Sequence, residues 1–277
     1  MTRLPGLDFE ADLEESIECL RANAPADGRP YYGCFSGGKD SVALKHVARM
    51  AGVAVDWHYN VTTIDPPELV RFIQRAHPDV KWLRSPHGPF FRRAAEVKGF
   101  PTRRTRWCCA EYKECHTAPP GQPMLMGIRA QESSARAARW GMVTARPDRG
   151  GATMVNPLLH WDAADLWSFI RGEAVPYPSL YDEGFARLGC VGCPMNTQRA
   201  RDLDRWPRFR ERWRYVFRRT WERRTGSVQR AGRRWFGDRL FADWEAMWEW
   251  WLSNRPLPPV GERAQQELRG NGWGDEG

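Results

Sequence analysis

Along the first two-thirds of the chain, short apolar runs alternate with stretches at helical spacing. Residues 8–21 put Leu13, Ile17 and Leu20 on one face, the pattern of an amphipathic helix. The run Tyr31-Tyr32-Gly33-Cys34-Phe35 predicts a buried strand, and 39–50 a helix. A second strand is expected at 53–59 and a third at 80–83. Between them, 66–76 reads as a helix with proline near its start, where the missing N–H has no helical partner to lose. Residues 89–98 continue as a helix. Strand, helix, strand, helix, strand within ~60 residues predicts right-handed βαβ units on a parallel sheet. Further strands are expected at 123–128 and 154–158. A helix over 162–171 is capped by Asp162, with Leu166, Trp167 and Ile170 facing inward.

Beyond Cys193 the pattern changes. Residues 197–224 are helical in period and dense in arginine and tryptophan. A last helix at 238–252 gathers Leu240, Trp244, Met247, Trp248 and Trp251 on one face. The tail from Pro256 is rich in proline, glycine and polar residues and is expected to fray. The expected organisation is an α/β catalytic core over 1–195 and a helical appendage over 196–277.

Composition narrows the class. The 277 residues are 42% apolar and 27% charged, with a formal net charge of +8 carried mainly by arginine. Such a chain can bury a large core, and its charge favours polyanionic ligands, nucleic acid among them. Solvated helix faces give the same number. No apolar run reaches the ~18 residues of a membrane span, and 1–20 carries acidic residues in place of a signal core. A cytoplasmic enzyme with no membrane partner is expected. In that compartment its seven cysteines point to metal, cluster or redox roles ahead of structural disulfides.

The chemistry concentrates first at Ser36-Gly37-Gly38-Lys39-Asp40-Ser41, where a strand passes into a helix. Glycines let backbone amides approach phosphate oxygens, and the helix start adds unpaired N–H groups and partial positive charge. Ser36 and Ser41 offer hydroxyls, and Lys39 a charge. The spacing is not that of a Walker A loop. An ordinary glycine-rich turn is the alternative. The hexapeptide resembles the SGGxDS signature of the PP-loop ATP pyrophosphatase superfamily. That superfamily includes sulfonucleotide reductases, tRNA-thiolating enzymes and enzymes of DNA phosphorothioation. The resemblance implies an adenine nucleotide alpha-hydrolase-like (Rossmann-like) fold and binding of ATP or an adenylyl sulfate. It also implies Mg²⁺ and phosphates near Asp40.

Cys108-Cys109 and Cys190-x-x-Cys193 form a second constellation. Thiolates bind soft metals and iron–sulfur clusters, and Arg103, Arg104, Arg106 and Lys113 would offset their charge. Zinc and a buried or redox-active thiol set are the alternatives. The pattern resembles the CC…CxxC set of adenylyl-sulfate reductases, which implies a [4Fe–4S] cluster. Cys115 is a spare ligand, a sulfur carrier or a surface thiol. Cys19 and Cys34 read as small buried hydrophobes.

Gly127-Ile128-Arg129-Ala130-Gln131-Glu132-Ser133, followed by Arg136, resembles the GxRxxES…R segment of sulfonucleotide reductases and phosphorothioation enzymes. Arg129 and Arg136 are candidate phosphate or sulfate clamps, because guanidinium forks match such oxyanions. The likeness continues through Asn156-Pro157-Leu158 and on through Tyr177 to Phe185, so that it covers about 31–195. Thr62 and Asp65 are candidate contacts to ribose or adenine, with simple helix capping as the alternative. The chain has no cysteine after Cys193. The nucleophilic tail cysteine of the reductases is thus lacking, which turns the expectation toward ATP-dependent sulfur transfer. Lys39, Asp40 and Arg129 are its candidate catalytic residues. A sulfur donor such as a cysteine desulfurase is implied, and a homo-oligomer is compatible. Sulfite release from an adenylyl sulfate, or nucleotide and nucleic-acid binding without turnover, are the competing functions. The tryptophans among the arginines of 205–224 are expected to pack inward.

Overall fold

The structure is a computed structural model that describes residues 7–132, 138, 140–146, 152–231 and 241–256. Six strands form one sheet in the order β3-β2-β1-β4-β6-β5. They are β1 (Tyr31–Cys34), β2 (Val55–Val61), β3 (Lys81–Arg84), β4 (Met124–Leu125), β5 (Val143–Arg146) and β6 (Ala152–Val155). All neighbours pair parallel except β5, which runs antiparallel to β6. β5 was not expected from sequence. Its Val-Thr-Ala-Arg run lacks apolar density, and it gains strand geometry by pairing along an edge.

Period-two alternation splits the two faces. Tyr31 and Gly33 of β1 face the side of Val55 and Trp57 of β2, into the main core with Val42, Leu44 and Val47. Gly33 is required there, because a Cβ would lie 2.4 Å from the Trp57 ring. Tyr32 faces the other way, packing with Met124 and Met154.

Helix α1 (Leu7–Ala22) and α2 (Lys39–Ala51) close over the main core. Two buried polar groups there find partners across the core. The Tyr31 hydroxyl donates to the Leu20 carbonyl at 2.7 Å. The Trp161 indole donates to Ser16 Oγ at 3.0 Å, and that hydroxyl donates to the Pro157 carbonyl at 2.7 Å. Helix α3 (Pro67–Ala76) joins β2 to β3. Helix α5 (Ala163–Gly172) starts with a full capping box, in which Asp162 accepts from Ala164 and Asp165 amides and Asp165 reaches back. Between α3 and α5, α4 (Phe90–Arg93) is a single turn that continues as a π-turn over Ala94–Lys98.

The described chain forms two compact units. One is Met1–Ser85 with Tyr112–Gly189 and holds the sheet; the other is Pro86–Glu111 with Cys190–Gly277. The division departs from the 1–195 and 196–277 halves read from the sequence. Segment 86–111 joins the C-terminal helices because its aromatics pack on theirs. Phe90 lies 5.3 Å from Trp213 and Phe100 stacks on Phe217 at 4.1 Å. The expected 197–224 helix is two, α6 (Arg199–Arg205) and α7 (Pro207–Ala231), broken at Pro207. Helix α8 (Trp244–Ser253) begins at an Asp243 cap and buries Met247, Trp248 and Trp251; Leu240 lies outside the described residues. Trp206 and Trp213 pack inward as expected and Trp221 is only half-buried, while Arg205, Arg208, Arg212, Arg218 and Arg219 stay exposed. No helix among the described residues is long and apolar enough to cross a membrane.

Candidate phosphate loop and cysteine set

The 36–41 loop follows β1 and opens α2, at the carboxyl edge of the sheet. Gly37 has φ +74°, and a Cβ there would lie 2.6 Å from the Ile73 side chain on α3. Glycine is therefore demanded by both backbone and space. Gly38 is the N-cap of α2 and supplies no side chain. Ser36 and Ser41 hydroxyls lie 3.2 Å apart, and Ser41 Oγ donates to the Gly38 carbonyl at 2.8 Å.

Charge is concentrated at this helix start. Asp40 Oδ2 receives Lys39 Nζ at 3.2 Å, and Asp40 Oδ1 receives Arg129 Nε at 2.5 Å. Lys39 is 8% exposed and Arg129 4%. Arg129 Nη1 also donates to the Gln131 side chain at 3.3 Å and to the Trp161 carbonyl at 3.4 Å. Buried cations need such partners, and one carboxylate here serves two of them. Gly127 packs closely under this arrangement: a Cβ there would stand 3.0 Å from the Asp40 carbonyl oxygen. Lys39, Asp40, Gly127 and Arg129, singled out from motifs far apart in sequence, are thus one cluster.

Tyr181 was not singled out. Its hydroxyl accepts the Lys39 backbone N–H at 2.9 Å, and Lys39 Nζ lies 5.7 Å from its ring centroid. Burial raises its phenol above the ordinary value, opposed by the Lys39 amide, with the Asp40 charge adding to the rise. Only its position in Tyr177-Pro178-Ser179-Leu180-Tyr181 hinted at a role.

Thr62 and Asp65 are 3% and 8% exposed, and they bond to each other. Asp65 accepts the Thr62 hydroxyl at 2.7 Å and the Tyr59 hydroxyl, while Thr62 Oγ1 accepts the Ile64 amide. This network fixes the turn before α3. Glu132 ends a 3-10 turn, Ala130–Glu132, two residues beyond the cluster's Gln131 neighbour Ala130. Ser133 and Arg136 lie outside the described residues.

All four paired cysteines fall in the second unit. Cys109 opens a π-turn, Cys109–Lys113, its amide bonded to the Arg106 carbonyl at 3.0 Å. The Cys190–Cys193 turn is closed by the Cys193 amide on the Cys190 carbonyl at 3.1 Å. Gly192 has φ +74°, and a Cβ on it would lie 2.5 Å from Trp213 Nε1, which donates to the Val191 carbonyl at 3.0 Å. Trp213 of α7 therefore holds the second cysteine pair in place. The Cys108 thiol is pushed up, first by its hydrogen bond to Cys109, then by burial and by the neighbouring Cys109, Cys190 and Cys193. Nearby, burial and the Arg103 charge lower Arg199 to about 10. Arg103 donates to the Pro194 carbonyl at 3.2 Å. Thiols beside arginines have the donor chemistry of a soft-metal centre. Among the described residues, however, no group of three or more His, Cys, Asp or Glu side chains is placed to hold a metal ion. The donor chemistry fits, and the side chains stand as four thiols.

Residues 31–196, more than half of the chain, match the phosphoadenosine phosphosulfate reductase domain. The chain belongs to this family. It is thereby a PP-loop ATP pyrophosphatase superfamily protein, as its loop suggested, and its sheet is that of the adenine nucleotide alpha-hydrolase-like fold. An uncharacterised protein of Methanocaldococcus jannaschii is 28% identical over 205 residues, covering 69% of this chain and 42% of that protein. The chain thus spans less than half of that relative's length. An adenosine 5'-phosphosulfate reductase of Lysinibacillus sphaericus is 24% identical, covering 68% of this chain and 84% of that one. Among solved structures, Candida glabrata FMN adenylyltransferase in complex with FAD and inorganic pyrophosphate superposes with a TM-score of 0.50. It is 15% identical over 69% of each chain, a likeness of fold.

Proposed function

We propose that this protein is an ATP-dependent sulfur-transfer enzyme that adenylates its substrate. The observation that carries the reading is the Lys39–Asp40–Arg129 cluster at the start of α2, beside a loop whose Gly37 admits no side chain. In this reading the loop amides, Ser36, Gly38 and Ser41 hold the triphosphate, and a substrate oxygen attacks the α-phosphorus. The bond to the β-phosphate oxygen breaks and pyrophosphate leaves. Lys39 and Arg129 stabilise the charge that develops on the phosphate oxygens, while Asp40 holds both cations in place. Each Asp40 oxygen keeps lone pairs beyond its ion pair, so Asp40 also fits a Mg²⁺ ligand. Bound Mg²⁺ would supply charge neutralisation. Thr62 and Asp65 set the turn that borders the nucleoside, and Gly127 and Glu132 flank the cluster on the substrate side; Ser133 and Arg136 keep the role their motif implies, as candidate contacts to phosphate or sulfate.

Cys108, Cys109, Cys190 and Cys193 are the residues that would hold a [4Fe–4S] cluster, which supplies a soft site for sulfur when bound. Gly192 and Trp213 shape the second pair for that role. Sulfide-level sulfur from the donor then attacks the activated atom, and that atom's bond to the AMP phosphate oxygen breaks so that AMP leaves. The exposed arginines of α6 and α7 favour a nucleic-acid acceptor. The reading implies a sulfur donor such as a cysteine desulfurase and a cytoplasmic setting. The reductase relative, covered over most of its length, favours a second reading in which adenylyl sulfate binds and sulfite is released.

The test is anaerobic purification with iron and labile sulfide counted. ATP, adenylyl sulfate and its 3′-phosphorylated form are then offered with sulfide and nucleic acid. Pyrophosphate from ATP with about four irons per chain is the expected result. Sulfite from an adenylyl sulfate, with ATP inert, would replace the first reading by the second.

A further inference from the structure

We infer that Tyr181 is a gate on the phosphate loop, its phenol oxygen occupying the position at the Lys39 amide that a phosphate oxygen of the ligand must take. The inference rests on the reading of 36–41 as a phosphate loop and adds a residue that this reading does not contain. The Lys39 N–H is the first of helix α2, the kind of donor that binds phosphate at helix starts. It is engaged at 2.9 Å by Tyr181, 142 residues away in sequence. The same oxygen lies 3.2 Å from the point where a Cβ on Gly38 would stand. The phenol therefore covers two consecutive residues of the loop. An anion reaching that amide and the Tyr181 hydroxyl cannot share the same place.

The segment that carries Tyr181 is a strap anchored by the buried Val175 and Leu180, with the Tyr181 side chain reaching from it to the loop. It begins after α5 at Ala174, which has φ +49° without being glycine, and it ends at Gly184, with φ +83°. Left-handed backbone at both ends brackets a short 3-10 turn, Ser179–Tyr181, and strain at a non-glycine residue marks a point where a chain can change direction. Within the strap, Tyr177 donates to Asp182 at 3.1 Å, so the piece coheres. Tyr181 itself lines a cavity of about 270 Å³, together with Trp167, Arg171, Tyr177 and Phe185. Trp167 meets the Tyr181 ring edge-on at 5.2 Å. The phenol thus has room to withdraw and an aromatic wall to receive it.

Gating has a definite energetic sign. An occupied amide lowers the apparent affinity of a competing ligand by the fraction of time it is free. Removing only the hydroxyl should therefore tighten binding, whereas a residue that merely supports the loop would weaken it. The experiment measures binding of inorganic pyrophosphate by calorimetry to the full chain, to Tyr181→Phe and to Tyr177→Phe. Phenylalanine keeps the ring contacts with Trp167 and Lys39, and Tyr177→Phe alters a hydroxyl of the same strap that does not touch the loop. The expected result is a Kd about three- to tenfold lower for Tyr181→Phe, the worth of one net hydrogen bond, with Tyr177→Phe unchanged. Binding by Tyr181→Phe equal to or weaker than that of the parent chain overturns the gate and leaves the loop reading standing. Equal tightening by both variants overturns it too, because the strap and not the phenol oxygen would then be responsible. If no chain binds pyrophosphate, the loop reading and the gate fall together.

Discussion

Gly37→Ala is the substitution in which backbone and packing costs can be separated. At φ +74° an alanine costs about 1 kcal/mol relative to glycine. Its Cβ would also stand 2.6 Å from Ile73 Cγ1, 2.7 Å from Ile73 Cδ1 and 2.9 Å from Leu69 Cδ1. Both side chains are buried, so neither can swing into solvent, and overpacking of this kind costs about 2 kcal/mol. The total is roughly 3 kcal/mol. Gly28→Ala is the matched control: its φ is +77°, and its Cβ would meet nothing within 4 Å. It should lose only the backbone share, about 1 kcal/mol. Both glycines lie in the unit that holds the sheet, so native-state amide exchange of β1 and β2 in low urea reads the same unit for each. Because the strain at Gly37 must move the loop or α3, ATP binding should fall in Gly37→Ala and stay unchanged in Gly28→Ala. A Gly37→Ala chain no less stable than Gly28→Ala would refute the packing reasoning.

Other changes test other parts of the structure. Gly192→Ala drives a Cβ toward Trp213 and should lower the iron retained after anaerobic reconstitution, with the sheet-bearing unit unaffected, as read by colorimetric iron assay and far-ultraviolet dichroism. Asp162→Ala removes the carboxylate that accepts the Ala164 and Asp165 amides, leaves the residue-162 backbone N–H donating to Asp165, and should cost about 1 kcal/mol in urea unfolding. Arg93 and Lys98 hold Glu111 down to about 2 from its ordinary 4.5. Its folded pKa is depressed, so its contribution is fully present above about 4.5 and is lost as pH falls toward 2. The stability gap between the parent chain and Glu111→Gln should accordingly be widest near neutral pH and close across that window.

Much of the sheet was legible because β1 and β2 carry dense apolar and aromatic runs, and α2, α3 and α5 have strong periodicity with Pro67 and Asp162 at their starts. β5 was not, since its stability comes from an edge pairing. The grouping of 86–111 with the C-terminal helices was equally hidden, because ring contacts such as Phe100 with Phe217 join positions far apart in the chain. The glycines, lysine and aspartate of the loop could be read directly, since a phosphate loop needs those residue types in sequence. Arg129 was named for its motif, but its partnership with Asp40 exists only in the folded chain. Tyr181 escaped for the same reason: a tyrosine in a polar turn has no sequence mark that it reaches a helix start. For Thr62 and Asp65 the two readings made from sequence were capping and ligand contact; their hydrogen bonds stay within the turn before α3, whose N-cap, Pro66, receives no side-chain bond.

The central claim is that ATP binds at the 36–41 loop through the charge cluster of α2. Calorimetric titration of the full chain with ATP and Mg²⁺, beside Lys39→Ala, measures it most directly. The account predicts one site per chain in the parent and an affinity at least about tenfold weaker in the variant, the worth of one charge-assisted phosphate contact. ATP binding of equal strength in both chains, or none in the parent, would contradict it.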